Sequence, residues 1–291
     1  ESLISPAEPA PCAIDIAQAA RTLAGAVQIP TISQNSVEET DPAPFLRLHD
    51  YLYESFPHVH RVMQRETVNT LSLLYRWPGR NPSAAPSLFC AHLDVVPVEP
   101  GTEDDWTHPP FSGAITNDAV WGRGTLDIKV QVIALLHAAE NLIAQGFTPE
   151  HDIWFAFGHD EEVRRRDGAD HIAALLEKRG VRPALVLDEG GCVTAGALKG
   201  TERPVAFIGI AEKGFVNLRL EARGTGGHSS MPPQKTAAAL IARAVHRVGG
   251  IRRPLRLTMA TRAMFRALAP AMPFGQRMLL ANLWLFAPLF V

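Results

Sequence analysis

Cysteine is scarce in this chain. Cys12, Cys90 and Cys192 are the three in 291 residues, and no two of them form a C-x-x-C pair. That excludes a disulfide framework, a cysteine-built zinc site and a thioredoxin-type motif. The odd count leaves one disulfide plus a free thiol open. An excess of charge of either sign is also missing. Lys plus Arg number 28 and Asp plus Glu 30, giving a formal net charge of −2. Nothing here favours nucleic acid or an anionic membrane as a partner. No run of about 20 apolar residues occurs, so no membrane span is expected. Met278 to Val291 is apolar but broken by Asn282 and Pro288, and it reads as core. Glu1 to Pro11 has neither a basic n-region nor an apolar h-region, so no signal peptide is read there. The compartment stays open between the cytoplasm and secretion after signal removal. Internal repeats and low-complexity tracts are absent.

What is present suits a soluble globular protein: apolar residues make up 46% and charged residues 20%. The length fits one large domain or two ordinary ones. Residues 13–29, 44–56, 129–145 and 170–178 carry helical patterns, several ended by Pro or Gly. Residues 71–77, 88–93, 152–157 and 184–187 are short apolar runs that read as strands, the last three of them buried. Residues 97–113, rich in Pro, Gly and acids, read as a loop. Strands alternating with helices predict an α/β sandwich with a largely parallel sheet. Near residue 202 the texture changes to two strands, 205–210 and 215–222, and a helix over 236–248. We therefore divide the chain into 1–201 and 202–291.

The chemistry-bearing residues cluster at predicted strand ends. His92-Leu93-Asp94 closes one apolar run, and residues two apart on a strand share a face. An imidazole can there meet a metal while a carboxylate fixes its other ring nitrogen. Alone, H-x-D also describes a surface His beside an Asp. Gly122 to Lys129 (GRGTLDIK) puts Asp127 at a helix entrance, as a metal ligand or simply as a cap. Gly158-His159-Asp160-Glu161-Glu162 follows an apolar strand. Such crowding of acids is costly without a cation, although Arg164, Arg165 and Arg166 could balance a solvated turn. Asp188-Glu189-Gly190-Gly191 follows another. Ligands of open α/β sheets sit at these ends, and a carboxylate and imidazole set suits zinc. One Glu of the pair can bind metal while the other activates water. Gly226 to Pro232, in the second part, offers His228 and two hydroxyls as donors to a developing oxyanion, or a plain loop with an exposed His. Nothing resembles a phosphate cradle, which disfavours a phosphoesterase.

Taken in order, H-x-D, G-R-G-T-x-D-x-K, G-H-D-E-E, D-E-G-G and G-H-S-S-x-P-P resemble the di-zinc aminoacylase/carboxypeptidase metallopeptidase family. The resemblance is greatest to its carboxypeptidase S-like and N-fatty-acyl-amino-acid synthase/hydrolase branch. AHLDVVPV, WTHPPFSG, EKGFVNL and GHSSMPP extend it from about residue 20 to the end. It implies a mixed, mostly parallel sheet between helices, with an inserted α+β lid. It implies hydrolysis of the amide C–N bond of a peptide or N-acyl-amino acid. It implies two zincs per complete active site: His92 and Asp188 on the first, Glu162 on the second, and Asp127 bridging them. Asp94 would orient His92, Glu161 would be the general base, and His228 would stabilise the oxyanion. The implied partners are a small-molecule or peptide substrate with a free carboxylate, and a second copy in a homodimer formed through the lid.

Three departures bear on these expectations. The family's second zinc takes a late histidine, whereas after His228 this chain has only His246, in a helical pattern. The lid pattern stops half-way, so the chain is expected to end inside it. An inactive fragment or pseudoenzyme keeping one metal site is then the alternative reading. Ile128 stands where the family is often acidic, and the three arginines stand where it is usually rich in Gly and Ser. These could repel metal, face solvent or bind a substrate carboxylate.

Overall fold

The computed structural model describes residues 14–286 except 197, 202, 211–213, 215, 225, 229, 232–234 and 253–255. Two compact units emerge, one ending at Glu189 and the next running from Gly190. The sequence reading put that change at 201/202. The earlier boundary follows from Val193–Thr194 pairing forward with Val205–Ala206.

In the first unit, polar residues punctuate the helices. Helix α1 (Ile16–Val27) starts at Asp15, whose carboxylate accepts the Gln18 N–H at 2.9 Å. Helix α2 (Pro42–Ser55) starts in the same way at Asp41, with Pro42 in its first turn. A short helix α3 (Pro57–Val62) follows. Strands β1 (Gln64–Val68), β2 (Ser72–Trp77) and β3 (Ser87–His92) come next, then a hairpin of β4 (Ala114–Thr116) and β5 (Ala119–Trp121). Asn117 and Asp118 make its turn with φ of 51° and 57°, a conformation these two residue types tolerate. Helix α4 (Val130–Ala144), strand β6 (Ile153–Gly158), helix α5 (Ala169–Lys178) and strand β7 (Leu185–Leu187) complete the unit.

The main sheet has the order β1-β2-β6-β3-β7. The pairs β1/β2 and β2/β6 are antiparallel, and β6/β3 and β3/β7 are parallel. Side chains alternate between its faces. Leu73, Tyr75 and Trp77 of β2 join Leu23, Phe45, Leu52 and Leu136 from the helices in the larger core. Leu74 points the other way, to Trp154, Ile172 and Leu176. Helices α1–α4 thus cover one face and α5 the other. Three parallel strands end at one edge, where His92 pairs with Gly158 and Phe89 with Leu187.

Two sequence expectations change here. Strand β7 reads as buried, yet Leu185, Val186 and Leu187 are all exposed, because β7 is the edge strand and no described element covers it. Strand β1 carries Gln, Arg, Glu and Thr with a single apolar residue, the buried Val68, too little for an apolar signature; β2 pairs it residue for residue.

In the second unit, β8 (Val193–Thr194) pairs with β9 (Val205–Ala206). The expected strand over 205–210 is therefore only two residues long, and 216–222 carries no strand. Phe215 and the Glu212-Lys213 connection lie outside the described residues. Helix α6 (Ala237–Gly249) is capped by Thr236. It is followed by α7 (Met259–Leu268), α8 (Phe274–Ala281) and α9 (Leu283–Phe286). In the apolar run Met278 to Val291, expected as core, Met278, Trp284 and Leu285 are exposed and Leu283 is buried, while 287–291 lie outside the described residues. Among the described residues no helix is long and apolar enough to cross a membrane.

Buried histidines tie stability of the first unit to pH. His49 is 3% exposed and its Nε2–H donates to Leu71 O at 3.0 Å. Burial lowers its pKa to about 4. Burial likewise lowers His60, His137 and His159. The unfolded chain protonates His49 near pH 6.5, so between about pH 4 and 6.5 it binds the extra proton. Stability from this group is therefore complete above pH 6.5 and is lost as pH falls towards 4. Urea unfolding at pH 7 and pH 5 should show a loss of about 2 kcal/mol that His49→Gln removes from the total. An unchanged pH slope in that variant would count against the assignment.

Candidate metal centre

His92 ends β3, is 2% exposed, and faces the edge where the parallel strands stop. Its Nδ1 lies 3.0 Å from the backbone oxygen of Asp94 and 3.3 Å from Asp94 Oδ1. Nδ1–H as donor leaves Nε2 free to face outward. Nε2 is 3.0 Å from Asp127 Oδ1 and 3.6 Å from Glu189 Oε1.

Asp127 is brought there by an irregular turn. Residues 125–129 wind before α4, with non-helical dihedrals at Asp127 and Ile128 and a cis peptide bond between them. Gly124, at φ 83°, allows the turn; a Cβ there would meet Val95 Cγ1 at 2.5 Å. Of the two sequence alternatives, the cap is not what forms: α4 has no side-chain cap, and the Asp127 carboxylate goes to His92. The motif lysine turns inward. Lys129 is 1% exposed and its Nζ donates to Ala26 O at 2.9 Å and Ile29 O at 2.5 Å, carbonyls at the end of α1. Burial lowers its pKa to about 7, against the opposing charge of Asp94.

Asp94 is fully buried and collects donors from four places. Ser33 Oγ–H donates to Oδ2 at 2.6 Å. The backbone N–H groups of Glu161 and Glu162 donate to Oδ1 and Oδ2, each at 3.2 Å. His92 is the fourth. Burial pushes this carboxyl up, but the hydrogen bonds from His92 and Ser33 and the His92 charge prevail and hold it below the usual range.

The G-H-D-E-E motif divides its labour. His159 is buried against Ser72 Oγ at 2.7 Å, and Asp160 closes the following loop by accepting from the N–H groups of Asp167 and Gly168. Glu162 then faces His92 and Asp127, while Glu161 faces His92 and Glu189. Within each trio one oxygen or nitrogen per residue lies within 4.8 Å of the others. These are mixed imidazole and carboxylate sets of the kind that suits zinc. The electrostatics point the same way. Burial and then Asp127 raise the Glu162 pKa. Burial outweighs the His92 charge and, with Asp127, Glu161 and Asp188, pushes Glu189 up to about 7. His92 is driven up to about 10: burial opposes its charge, and the Asp94 hydrogen bond and charge, Glu189 and Asp127 overcome that. So many acids around one imidazole draw positive charge.

The sequence expectation and the geometry differ at one position. Asp188 is exposed and its Oδ1 accepts the N–H of Glu189 at 2.9 Å, while Glu189 is the carboxylate that approaches His92. The D-E pair was visible in the sequence, but which member turns inward depends on how the chain leaves β7. Ser33 had no motif to mark it. His228 lies in the second unit with Nδ1 2.7 Å from Ser230 Oγ; Ser229 and Pro232 lie outside the described residues. His246 sits in the last turn of α6. Arg165 Nη1 donates to Gln34 O, Ser36 O and Thr40 Oγ1, and Arg166 pairs with Asp170 on the surface.

Comparison with known proteins identifies the family. The model of peptidase family M20/M25/M40 matches residues 88–278. A probable carboxypeptidase S-like 2 of Dictyostelium discoideum is 38% identical over 274 residues, covering 93% of this chain and 52% of the relative. The N-fatty-acyl-amino acid synthase/hydrolase PM20D1 of Mus musculus is 39% identical over 279 residues, covering 92% and 53%. The chain thus spans about half the length of the curated relatives it matches. Among solved structures, an M20 family metallo-carboxypeptidase of Sulfolobus solfataricus aligns with TM-score 0.47 and 23% identity, over 60% of this chain and 38% of that one. The chain belongs to peptidase family M20/M25/M40.

Proposed function

We propose that the first unit is the core of a zinc-dependent hydrolase of amide bonds, cleaving a peptide or an N-acyl-amino acid. The observation that carries this reading is the trio His92, Asp127 and Glu162, with ligand atoms within 4.8 Å of one another at the end of the parallel strands. His92 Nε2 and the carboxylates of Asp127 and Glu162 would hold the ion, with Glu189 and Asp188 as the two candidates for a further carboxylate. When bound, zinc polarises an amide carbonyl and makes water a stronger acid.

The protein's own residues supply the rest. Asp94 keeps His92 in the tautomer that presents Nε2, through the backbone and side-chain oxygens near Nδ1. The same carboxylate fixes the backbone of Glu161 and Glu162, so the two acids point in different directions from one anchor. Glu162 is directed to the ligand set. Glu161 is the base that takes the proton of the attacking water on a carboxylate oxygen and then passes it to the leaving amine.

Two expected outcomes test this. Glu161→Gln should lower turnover of N-acyl-amino acids by at least about 10²-fold while zinc content, measured by elemental analysis, stays at the wild-type value. His92→Ala should lose zinc and turnover together. A Glu161→Gln chain that hydrolyses at the wild-type rate, or a His92→Ala chain that keeps all its zinc, would overturn the proposal. Ser33→Ala removes one of the four donors to Asp94 and touches no ligand. It should weaken zinc binding by roughly 10-fold or somewhat more, read by competition with a chelating dye. Unchanged affinity would show that Ser33 does not position the centre.

A further inference from the structure

A cavity of about 780 Å³ opens in the first unit, at the end of the sheet away from His92. Its floor is a cross-strand row. Gln64 of β1 pairs with Arg76 of β2, and Arg76 pairs with Trp154 of β6. These side chains share the sheet face that carries α5. Arg179 to Arg182, where α5 ends, and the loop 82–86 form the walls. Trp154 stands four positions before Gly158, the partner of His92, so roughly 13 Å of strand separates the cavity from the acidic centre.

Acceptors in this lining are used up. Both oxygens of Glu66 take N–H groups from Arg179. Asp152 accepts Arg76 Nε–H on Oδ2 at 2.7 Å and the Gly79 N–H on Oδ1 at 2.9 Å. At the end of α5, Leu175 O, Leu176 O and Glu177 O accept the N–H groups of Arg179, Val181 and Gly180. Donors are left over. A guanidinium carries five N–H groups, and among the described residues that of Arg182 has no partner. Arg76 Nη1 lies 3.5 Å from Gln64 Oε1, too long for a good bond. The Arg76 guanidinium also lies 5.8 Å over the Trp154 ring, which keeps water from that side of it. Arg65, at the rim, turns to the other sheet face, over the Tyr53 ring.

We propose that this cavity binds a small oxyanion, a phosphate or a carboxylate, between Arg76, Arg179 and Arg182. The site is separate from the metal centre and does not depend on the hydrolase reading. Three guanidinium groups face two carboxylates whose oxygens are already engaged, so the unspent valence is donor and the local charge is positive. Planar guanidinium forks match the paired oxygens of phosphate and carboxylate. A cation would find no free carboxylate oxygen here, and an apolar ligand would meet charged walls. The volume is that of small-molecule sites. Bound between β2 and the end of α5, the anion would tie the polar edge of the sheet to the helix. Strands β3 and β6 both begin beside this point, where the Ser87 N–H donates to Asp152 O at 3.0 Å. A ligand that binds only the folded unit raises its stability by mass action.

Thermal unfolding of the 291-residue chain tests this, with inorganic phosphate and succinate titrated separately against NaCl of equal ionic strength. The oxyanion that acts at the lower concentration names the source. At saturation it should raise Tm by about 2 °C or more over the NaCl reference. Running each titration with and without EDTA separates this site from any anion bound to metal at the acidic centre. Arg182→Gln, at an exposed position, should raise the concentration for half the effect on the order of tenfold or more. Arg80→Gln removes a nearby charge that pairs with Glu150 outside the cavity, and it should leave the response unchanged. The site is overturned by a rise no larger than that in NaCl, by a rise that EDTA abolishes, or by one that survives Arg182→Gln at the same concentration. Equal loss in Arg80→Gln would also overturn it, because the effect would then be one of surface charge alone.

Discussion

A carboxylate with no access to water needs a donor for nearly every lone pair, and Asp94 is satisfied from four directions at once. The donors come from distant parts of the sequence: the segment after α1, the end of β3 and the loop after β6. Each is fixed in turn. Ile32 and Val95 form a bridge, Val95 N–H donates to Thr31 O at 2.9 Å, and Thr31 Oγ1–H donates to Leu93 O at 2.6 Å. Lys129 anchors the same segment from below through Ala26 O and Ile29 O. The carboxylate is thus where three loops are held in register, and the imidazole and glutamates are aimed as a consequence.

That anchoring makes the crowding of acids possible. Asp127, Glu161, Glu162 and Glu189 crowd like charges together, and burial first, then the neighbouring carboxylates, raise the pKa of Glu162 and Glu189. A flexible loop would relieve it by moving apart. Here the backbone of Glu161 and Glu162 is bonded to Asp94, and Asp127 is held by a turn that only glycine permits at position 124. The carboxylates are thereby held around the outward nitrogen of His92.

Periodicity made the first unit legible. Helices α1, α2, α4 and α5 and strands β2, β3, β6 and β7 coincide within a few residues with apolar patterns in the sequence, and the strand ends pointed to His92, Asp127, Glu161 and Glu162. What escaped was decided by pairing across the chain. Strand β1 is mostly polar and is paired residue for residue by β2. Ser33 reaches Asp94 across 61 positions and Arg165 reaches Gln34 across 131, distances at which no local spacing carries information. That Glu189 rather than Asp188 approaches His92 is a matter of which side of one backbone step faces that imidazole. In the second unit the alternation over 205–222 suggested two strands, but Ile208, Ile210, Val216 and Leu218 are exposed, and apolar alternation yields a strand only where a partner face receives it.

The arginines after Glu162 show how the same fold handles charge of the other sign. Three cations beside a metal centre would compete with the ion if they faced it. Arg165 instead is spent on neutral acceptors: Gln34 O at 2.5 Å, Ser36 O at 3.0 Å and Thr40 Oγ1 at 2.6 Å, with Asp167 at 3.2 Å. Arg166 is tied to Asp170 at the surface. Gln34 follows directly on Ser33, so the bonds that draw Arg165 away from the acids also fasten the segment carrying the hydroxyl that serves Asp94. The Gly- and Ser-rich turn that the family resemblance implies at this point is replaced by a loop that takes its shape from side-chain bonds to 34–40. The charge of Arg165, close in sequence to Glu161 and Glu162, is thereby directed to the 34–40 segment and helps to hold it.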